Sequence, residues 1–254
     1  MSSFPFRFSA APGLKTLFSQ DCQLCGVRSR ECLCVDCERD LPYRRAGGCP
    51  CCAIEGAGNQ LCGACLSEAP SFDRAIAVFR YAFPVDRLLQ SYKFNQNLAL
   101  TRFFADALVR SVATAAPRPD VIIAIPLARS RLAERGFNQS ALLADGVASA
   151  LGITHAAHEL LKVRDTPPQS GLDRAARLKN VRGAFDCAHS LVGKHIALVD
   201  DVMTTGATLS EAARVLKKAG AASVSAWVLA RAGREWSALI ETTEGRDPDG
   251  AVPF

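Results

Sequence analysis

Ile196-Ala-Leu-Val-Asp200-Asp201-Val-Met203-Thr204-Thr205-Gly206-Ala207-Thr208 decides the reading of this chain. An apolar run ends in two acids, and a Thr/Gly turn follows. Beyond the turn, Leu209, Ala212, Ala213 and Leu216 recur at helical spacing, with Lys217 and Lys218 in the last turn and Gly220 after it. The pattern predicts a buried strand over Ile196–Val199 and a helix over Ala207–Ala219. The turn between them offers successive backbone N–H groups and hydroxyls, and a helix N-terminus adds partial positive charge. Together these make a cradle for a phosphate. Asp200 and Asp201 are acceptors, so they suit sugar hydroxyls or a divalent cation rather than the phosphate itself. A phosphate cradle beside paired acceptors describes a ribose 5-phosphate ligand. The Gly-Lys-Ser/Thr of a Walker loop is absent, and so is GxGxxG. The competing reading is an ordinary strand–turn–helix with Thr and Asp as caps.

Outward from this stretch, strands and helices alternate. Ala75–Tyr81 reads as a strand, and Val85–Tyr92 and Leu98–Val112 read as helices. Val121–Ile125 is a β-branched run of buried-strand type. Asn138 is placed to cap a helix running to Leu151, with Gly152 past its end. Leu160–Val163 and Val224–Leu229 read as further strands. Alternation of this kind predicts an α/β fold: an open, mostly parallel sheet with helices on both faces. Ligands of such sheets bind at the carboxyl ends of strands, near a switch in strand order. Asp165–Gly183 contains Pro167-Pro168 and Ser170-Gly171 and reads as a long mobile loop. Its setting is basic: Lys162, Arg164, Arg174, Arg177, Lys179 and Arg182 outnumber Asp165 and Asp173.

Of the eleven cysteines in 254 residues, all but Cys187 lie between Cys22 and Cys65. No export signal precedes them and no apolar run approaches the roughly 20 residues of a membrane helix. A cytoplasmic protein is expected, in which clustered CxxC pairs are metal ligands rather than disulfides. The segment 21–70 has few large apolar side chains and needs a metal to fold. Cys22, Cys25, Cys34 and Cys37 form one set, and Cys49, Cys52, Cys62 and Cys65 a second. Two knuckles can present four thiolates tetrahedrally to Zn²⁺, and an all-thiolate site with no open position is structural. An interleaved pairing, or one occupied site, also satisfies the spacing, and Cys32 and Cys51 are extra thiols. His155, His158, His189 and His195 lie far from the cluster, and Cys187 reads as a small buried hydrophobe. The formal net charge of +5 suits an anionic ligand, but 21–70 opposes five arginines to seven acids, so the excess positive charge lies outside it.

The stretch 196–208 resembles the loop that binds 5-phosphoribosyl 1-pyrophosphate (PRPP) in type I phosphoribosyltransferases. Pro126-Leu127-Ala128-Arg129-Ser-Arg131-Leu-Ala-Glu-Arg135-Gly136-Phe137-Asn138-Gln139 and Arg164-Asp165-Thr166-Pro167-Pro168-Gln169-Ser170-Gly171-Leu172 look like the two signature segments of the ComF family. That family comprises competence-associated, phosphoribosyltransferase-like proteins with an N-terminal double zinc ribbon. The resemblance runs from about Cys22 to Ala230 and departs from the family pattern at Ala128 and Gln96. It implies that Asp200 and Asp201 contact the ribose, directly or through Mg²⁺. Met203, Thr204, Thr205, Gly206, Ala207 and Thr208 would hold the 5-phosphate. Leu127, Ala128 and Arg129 would form the pyrophosphate loop, with Lys93 as a further contact. Arg164, Asp165, Thr166 and Gln169 would belong to a flexible loop closing over PRPP. The implied limits are a leader at 1–20, a double zinc ribbon at 21–70, a phosphoribosyltransferase-like domain at 71–232 and a polar tail at 233–254. Three functions are compatible: a Mg²⁺-dependent phosphoribosyltransferase with an unidentified acceptor, a non-catalytic PRPP or nucleotide sensor, and a factor handling single-stranded DNA with the competence machinery.

Overall fold

The computed structural model describes residues 19–94, 97–113, 117–165 and 179–233. The expected leader and tail fall almost wholly outside them, as do Thr166 and Gln169. Contacts divide the chain into two units, Met1–Leu41 and Pro42–Phe254.

In the first unit, β1 (Gln20–Asp21) and β2 (Arg28–Ser29) pair antiparallel, and a short helix α1 (Val35–Arg39) follows. The Sγ of Cys34 caps that helix by accepting from the Cys37 amide. Cys22, Cys32, Leu33 and Leu41 are its buried apolar groups, a core too small to fold on its own.

The second unit opens with α2 (Gly63–Ser67) and continues through β3 (Arg74–Arg80), α3 (Val85–Phe94), α4 (Ala99–Val112) and β4 (Val121–Ala124). It goes on through α5 (Arg129–Arg135), α6 (Gln139–Leu151), β5 (Thr154–His155), β6 (Leu160–Lys162) and β7 (Phe185–Cys187). It closes with β8 (His195–Met203), a helix here called α7 (Ala207–Lys218), and β9 (Ser223–Arg231). Five strands form one parallel sheet in the order β3-β9-β8-β4-β5, and β6 and β7 form a separate antiparallel hairpin. This is the expected α/β architecture.

Side-chain alternation divides the sheet into two faces. Ile123, Ile196, Leu198, Val224, Ala226 and Val228 pack against Leu209, Ala212, Ala213 and Leu216 of α7. Residues of the opposite parity, such as Ile122, Ala197, Val199 and Trp227, are equally buried, and α4 and α6 pack on β3, β4, β8 and β9. Gly146 lets α4 and α6 close on each other, since a Cβ there would lie 2.9 Å from that of Ala105. The outer edge of β3 is covered by Pro42–Arg44: the Arg44 amide donates to Val78 and the Arg80 amide to Pro42.

The contacts part after Leu41 rather than at the composition change near Ala69-Pro70. The reason is that the second cysteine set lends side chains to the sheet's core. Ala53 is buried in the same cluster as Phe72, Met203 and Leu209, with Cys51 packed against it.

Three elements differ from expectation. β8 does not stop at Val199 but pairs with β9 as far as Met203. It tolerates the two acids because each carboxylate accepts the next backbone N–H, Asp201 to Asp200 and Val202 to Asp201. Arg129–Arg135 is a helix where no element was expected; it buries none of its residues and so shows no apolar periodicity. Cys187 is only partly buried, and its thiol donates to the His189 carbonyl.

Candidate functional site

From β4 the chain moves outward to β5, and from β8 it moves the other way to β9. The carboxyl ends of these neighbouring strands therefore flank a switch in strand order, where a crevice opens. Leu127–Arg129 leaves β4 at this point and Thr204–Thr208 leaves β8.

The turn after β8 is built around Gly206, whose φ of +80° makes it a left-handed N-cap for α7. Thr205 Oγ1 accepts from the Ala207 amide at 3.3 Å, and the Gly206 carbonyl takes the first helical bond from Ser210. The N-terminus of a twelve-residue helix thus faces the end of β8. A Cβ on Gly206 would meet Met203 Sδ at 3.5 Å and Phe72 at 3.7 Å, which is ordinary contact. Backbone strain, not a clash, therefore sets the cost of substitution. Gly206→Ala is expected to lose about 1 kcal/mol, read as a lower urea midpoint at unchanged slope.

The paired acids differ in setting. Asp200 Oδ1 accepts from Ser140 Oγ at 2.9 Å and from the Asp201 amide at 3.0 Å. Burial pushes its carboxyl up to about 7, and the neighbouring Asp201 carboxylate adds to the rise against the pull of Ser140 and Lys93. Asp201 Oδ2 lies 3.0 Å from Lys93 Nζ, with only 13% and 19% of the two side chains exposed. Lys93 is thus held on Asp201 at the end of α3.

Three consecutive residues at the start of α6 assemble this crevice, and sequence reading had assigned only the first, as a helix cap. Asn138 does cap α6, accepting from the Ser140 amide, but its Nδ2 also donates to the Ile125 carbonyl beyond β4. Gln139, 2% exposed, donates through Nε2 to the Lys93 carbonyl at 3.1 Å, and its own carbonyl accepts from Tyr92 Oη. Ser140 reaches Asp200. One helix start therefore ties the loop after β4, the end of α3 and the acids of β8. The signal that could have found them is a run of polar residues, Asn-Gln-Ser, opening an otherwise apolar helix.

Of the expected pyrophosphate loop, Ala128 is buried in extended conformation and Arg129 begins α5. Arg164, expected in the flexible loop, donates to the carbonyls of Asn180 and Arg182 at 2.8 Å each, which places it at the base of the 166–178 stretch. Asp165 accepts from Ser130 of α5 at 3.2 Å. Burial lowers the pKa of Lys162, with Arg131 adding to the effect and Asp165 and Asp200 opposing it, so these charges share one neighbourhood.

The cysteines gather in the sequential pairing. The Sγ atoms of Cys22, Cys25, Cys34 and Cys37 lie within 4.8 Å of one another, as do those of Cys49, Cys52, Cys62 and Cys65. Cys25 and Cys34 are 3.7 Å apart and Cys52 and Cys62 3.6 Å. Sulfurs about 2.3 Å from a tetrahedral ion sit about 3.8 Å apart, whereas a disulfide holds them near 2.05 Å. The donor set and spacing therefore fit a tetrathiolate metal. The amides of Cys34 and Cys62 donate to Cys22 and Cys49 Sγ. Burial acts to raise both thiols, but backbone N–H groups outweigh it and hold each near 6. In the same sets Cys37 is pushed far up by Cys25 and Cys34, and Cys65 by burial and Cys52. Thiols crowded in this way ionise together only around a shared cation. Burial pushes the extra thiol Cys32 up to about 11 and also raises Cys51, and neither sulfur belongs to the two four-thiol groups.

Among the described residues, no helix is long and apolar enough to cross a membrane. Residues 138–243 match the family described as the phosphoribosyl transferase domain. The DNA utilization protein YhgH of Salmonella typhi is 35% identical over 78% of this chain and 90% of its own. Competence protein F of Haemophilus influenzae is 32% identical over 78% and 96%, and competence protein ComFC of Streptococcus pneumoniae 30% identical over 86% and 96%. Among solved structures, a purine phosphoribosyltransferase from Pyrococcus horikoshii aligns with 51% of this chain and 70% of its own, at 25% identity and a TM-score of 0.33.

Proposed function

The chain belongs to the ComF family of competence and DNA utilization proteins, and from that premise we propose that it is a Mg²⁺-dependent phosphoribosyltransferase acting on PRPP. A nitrogen acceptor displaces pyrophosphate at C1 of the ribose. The observation that carries the reading is the N-terminus of α7 and its Thr204–Thr208 turn standing beside Asp200 and Asp201 at the switch in strand order.

Each group has one task. The amides and hydroxyls of Thr204–Thr208 take the 5-phosphate, with Met203 anchoring the turn in the core. Asp200 and Asp201 accept from the ribose hydroxyls or hold Mg²⁺, and Lys93, 3.0 Å from Asp201 Oδ2, keeps that carboxylate oriented until ligand arrives. Mg²⁺, when bound, neutralises charge on the departing pyrophosphate. Leu127, Ala128 and the start of α5 at Arg129 stand where that pyrophosphate leaves. Orientation and charge stabilisation supply the rate, so no protein nucleophile is required. Both tetrathiolate sites hold Zn²⁺ in a structural role. The compositional limits 21–70 and 71–232 are proposed as the evolutionary modules from which the contact units are built.

Calorimetric titration of PRPP with Mg²⁺ into the zinc-loaded protein and into Asp201→Asn tests the site. Binding that weakens at least tenfold in the variant, followed by pyrophosphate release with a nitrogen acceptor, is the expected result. Saturable binding without turnover on any acceptor would make the protein a PRPP sensor. No binding by the intact protein would refute the proposal. A role in handling single-stranded DNA is the second reading, favoured by what the relatives are named for. Its mark is DNA affinity that falls steeply with salt and is competed by PRPP.

A further inference from the structure

Arg231, the last residue of β9, is the one side chain among the described residues seen to bond both to a cysteine set and to the phosphate turn. Its Nε donates to the Cys52 carbonyl at 2.9 Å, inside the Cys49–Cys52 knuckle. Its Nη1 donates to the carbonyls of Met203 at 3.1 Å, of Thr204, and of Ala232 at 2.6 Å. The guanidinium fork thus spans from the second metal site to the first residues of the turn that leaves β8. A planar fork does this where a single ammonium cannot.

Two further contacts lock the same pieces together. Ala53, within the second set, is buried with Phe72, and Phe72 lies against the turn at Gly206. Beyond Cys65, the Ser71 amide donates to Ser210 Oγ in the first turn of α7 at 2.9 Å. Charge points the same way. Four thiolates around one dication leave two formal negative charges in excess. Arg231 and Arg44 both line the cavity of about 630 Å³ beside Cys62. A metal-bound set would therefore add charge attraction to the four carbonyl bonds that hold Arg231.

We infer that Arg231 is a positioning residue through which the metal in the Cys49–Cys65 set and the ligand on the Thr204–Thr208 turn stabilise each other. The inference rests on the PRPP reading above only for the identity of that ligand. Metal fixes the Cys52 carbonyl and the local charge; these fix Arg231; Arg231 holds the first carbonyls of the turn, so its amides face the phosphate. Coupling between two bound ligands is reciprocal, so ligand on the turn must also retain metal in the knuckle.

Hydrogen exchange of peptides covering 203–208 tests the device in the full-length, metal-loaded protein without any ligand. Arg231→Lys is expected to keep its metal and the protection of β8 and β9, while exchange at 204–208 rises about tenfold. Cys62→Ser, which breaks the second set, gives the same local rise, and Cys34→Ser, in the first set, does not. PRPP with Mg²⁺ slows zinc release to a chromogenic chelator about tenfold in the wild type and not in Arg231→Lys. Unchanged exchange in Arg231→Lys would overturn the inference, as would equal responses to Cys62→Ser and Cys34→Ser. Zinc release indifferent to PRPP, in a protein that the titration shows to bind it, would overturn it too. If the loaded wild type binds no PRPP, the functional reading fails, and the exchange comparison still decides the role of Arg231.

Discussion

Asp200→Asn is expected to raise the thermal midpoint at pH 8 while weakening PRPP binding a hundredfold or more. The two effects share a cause. Burial, with the adjacent Asp201 carboxylate, lifts the Asp200 carboxyl from its ordinary 3.8 to about 7. The folded state therefore holds that proton more tightly than the unfolded state does. The resulting stability is present at low pH and is lost as pH rises through about 7. At pH 8 the native protein carries a buried charge that Asn does not, and the variant gains roughly 1–3 kcal/mol, or several degrees. Asn Oδ1 can still accept from Ser140 and from the Asp201 amide, so the hydrogen bonding survives. At pH 5 wild-type Asp200 is protonated in the folded state but already ionised in the unfolded chain, so the variant's advantage should be smaller than at pH 8 and should vanish only below about 4. Ligand binding runs the other way, because Mg²⁺ and ribose hydroxyls need the carboxylate. Wild-type affinity for PRPP with Mg²⁺ should fall as pH drops below about 7 for the same reason. Melting curves of both proteins at pH 5 and pH 8 check the sign. A variant no more stable than wild type at pH 8 would mean that the strain at Asp200 is relieved in the free protein.

The strand–turn–helix was legible because each part carries its own local signal. Ile196–Val199 is an unbroken apolar run, and the helix after Gly206 buries Leu209, Ala212, Ala213 and Leu216 as their spacing required. Asn138 and Gly152 bracket α6 as expected, the cap accepting from Ser140 and the glycine left-handed at its end. The cysteine pairing was legible down to a choice among arrangements, because CxxC fixes a pair but not its partner pair; the Sγ distances select the sequential one. What escaped the sequence depends on partners distant along the chain. The final residues of β8 become strand only because β9 supplies their ladder. α5 buries no residue, and Leu132 and Ala133 are too few to set a period, so nothing in its pattern marks a helix. A lysine at a helix C-terminus looks like a dipole partner; that Lys93 meets Asp201 instead depends on where α3 ends over the sheet. Arg231 looks from sequence like the polar residue that stops a strand. Its bond to Cys52 spans 179 positions, and no local rule reaches that far.

Gln139 carries the other large expected effect. It is almost fully buried and joins helices through two bonds, its side chain to the Lys93 carbonyl and its backbone carbonyl to Tyr92 Oη. Tyr92 is itself buried, which pushes its phenol up to about 12, and it also accepts from Thr101. Gln139→Ala removes the donor to Lys93 and leaves a cavity; the expected loss is about 2–4 kcal/mol. Gln139→Leu keeps most of the volume but leaves the Lys93 carbonyl without that donor, and roughly 1–3 kcal/mol is expected from that alone. Because the carbonyl it holds belongs to the residue whose ammonium sits on Asp201, the effect should not stop at stability. With the end of α3 released, the pair at 3.0 Å loosens and Asp201 loses its preset orientation. PRPP affinity should then fall about tenfold in Gln139→Leu at a temperature where the variant is fully folded, with Mg²⁺ saturating. Chemical unfolding and calorimetric titration on one preparation separate the two consequences. A variant that loses stability but binds PRPP like the wild type would confine Gln139 to packing. Wild-type values for both would show that the end of α3 is held by its other contacts, and that only Asn138 and Ser140 connect the start of α6 to the crevice.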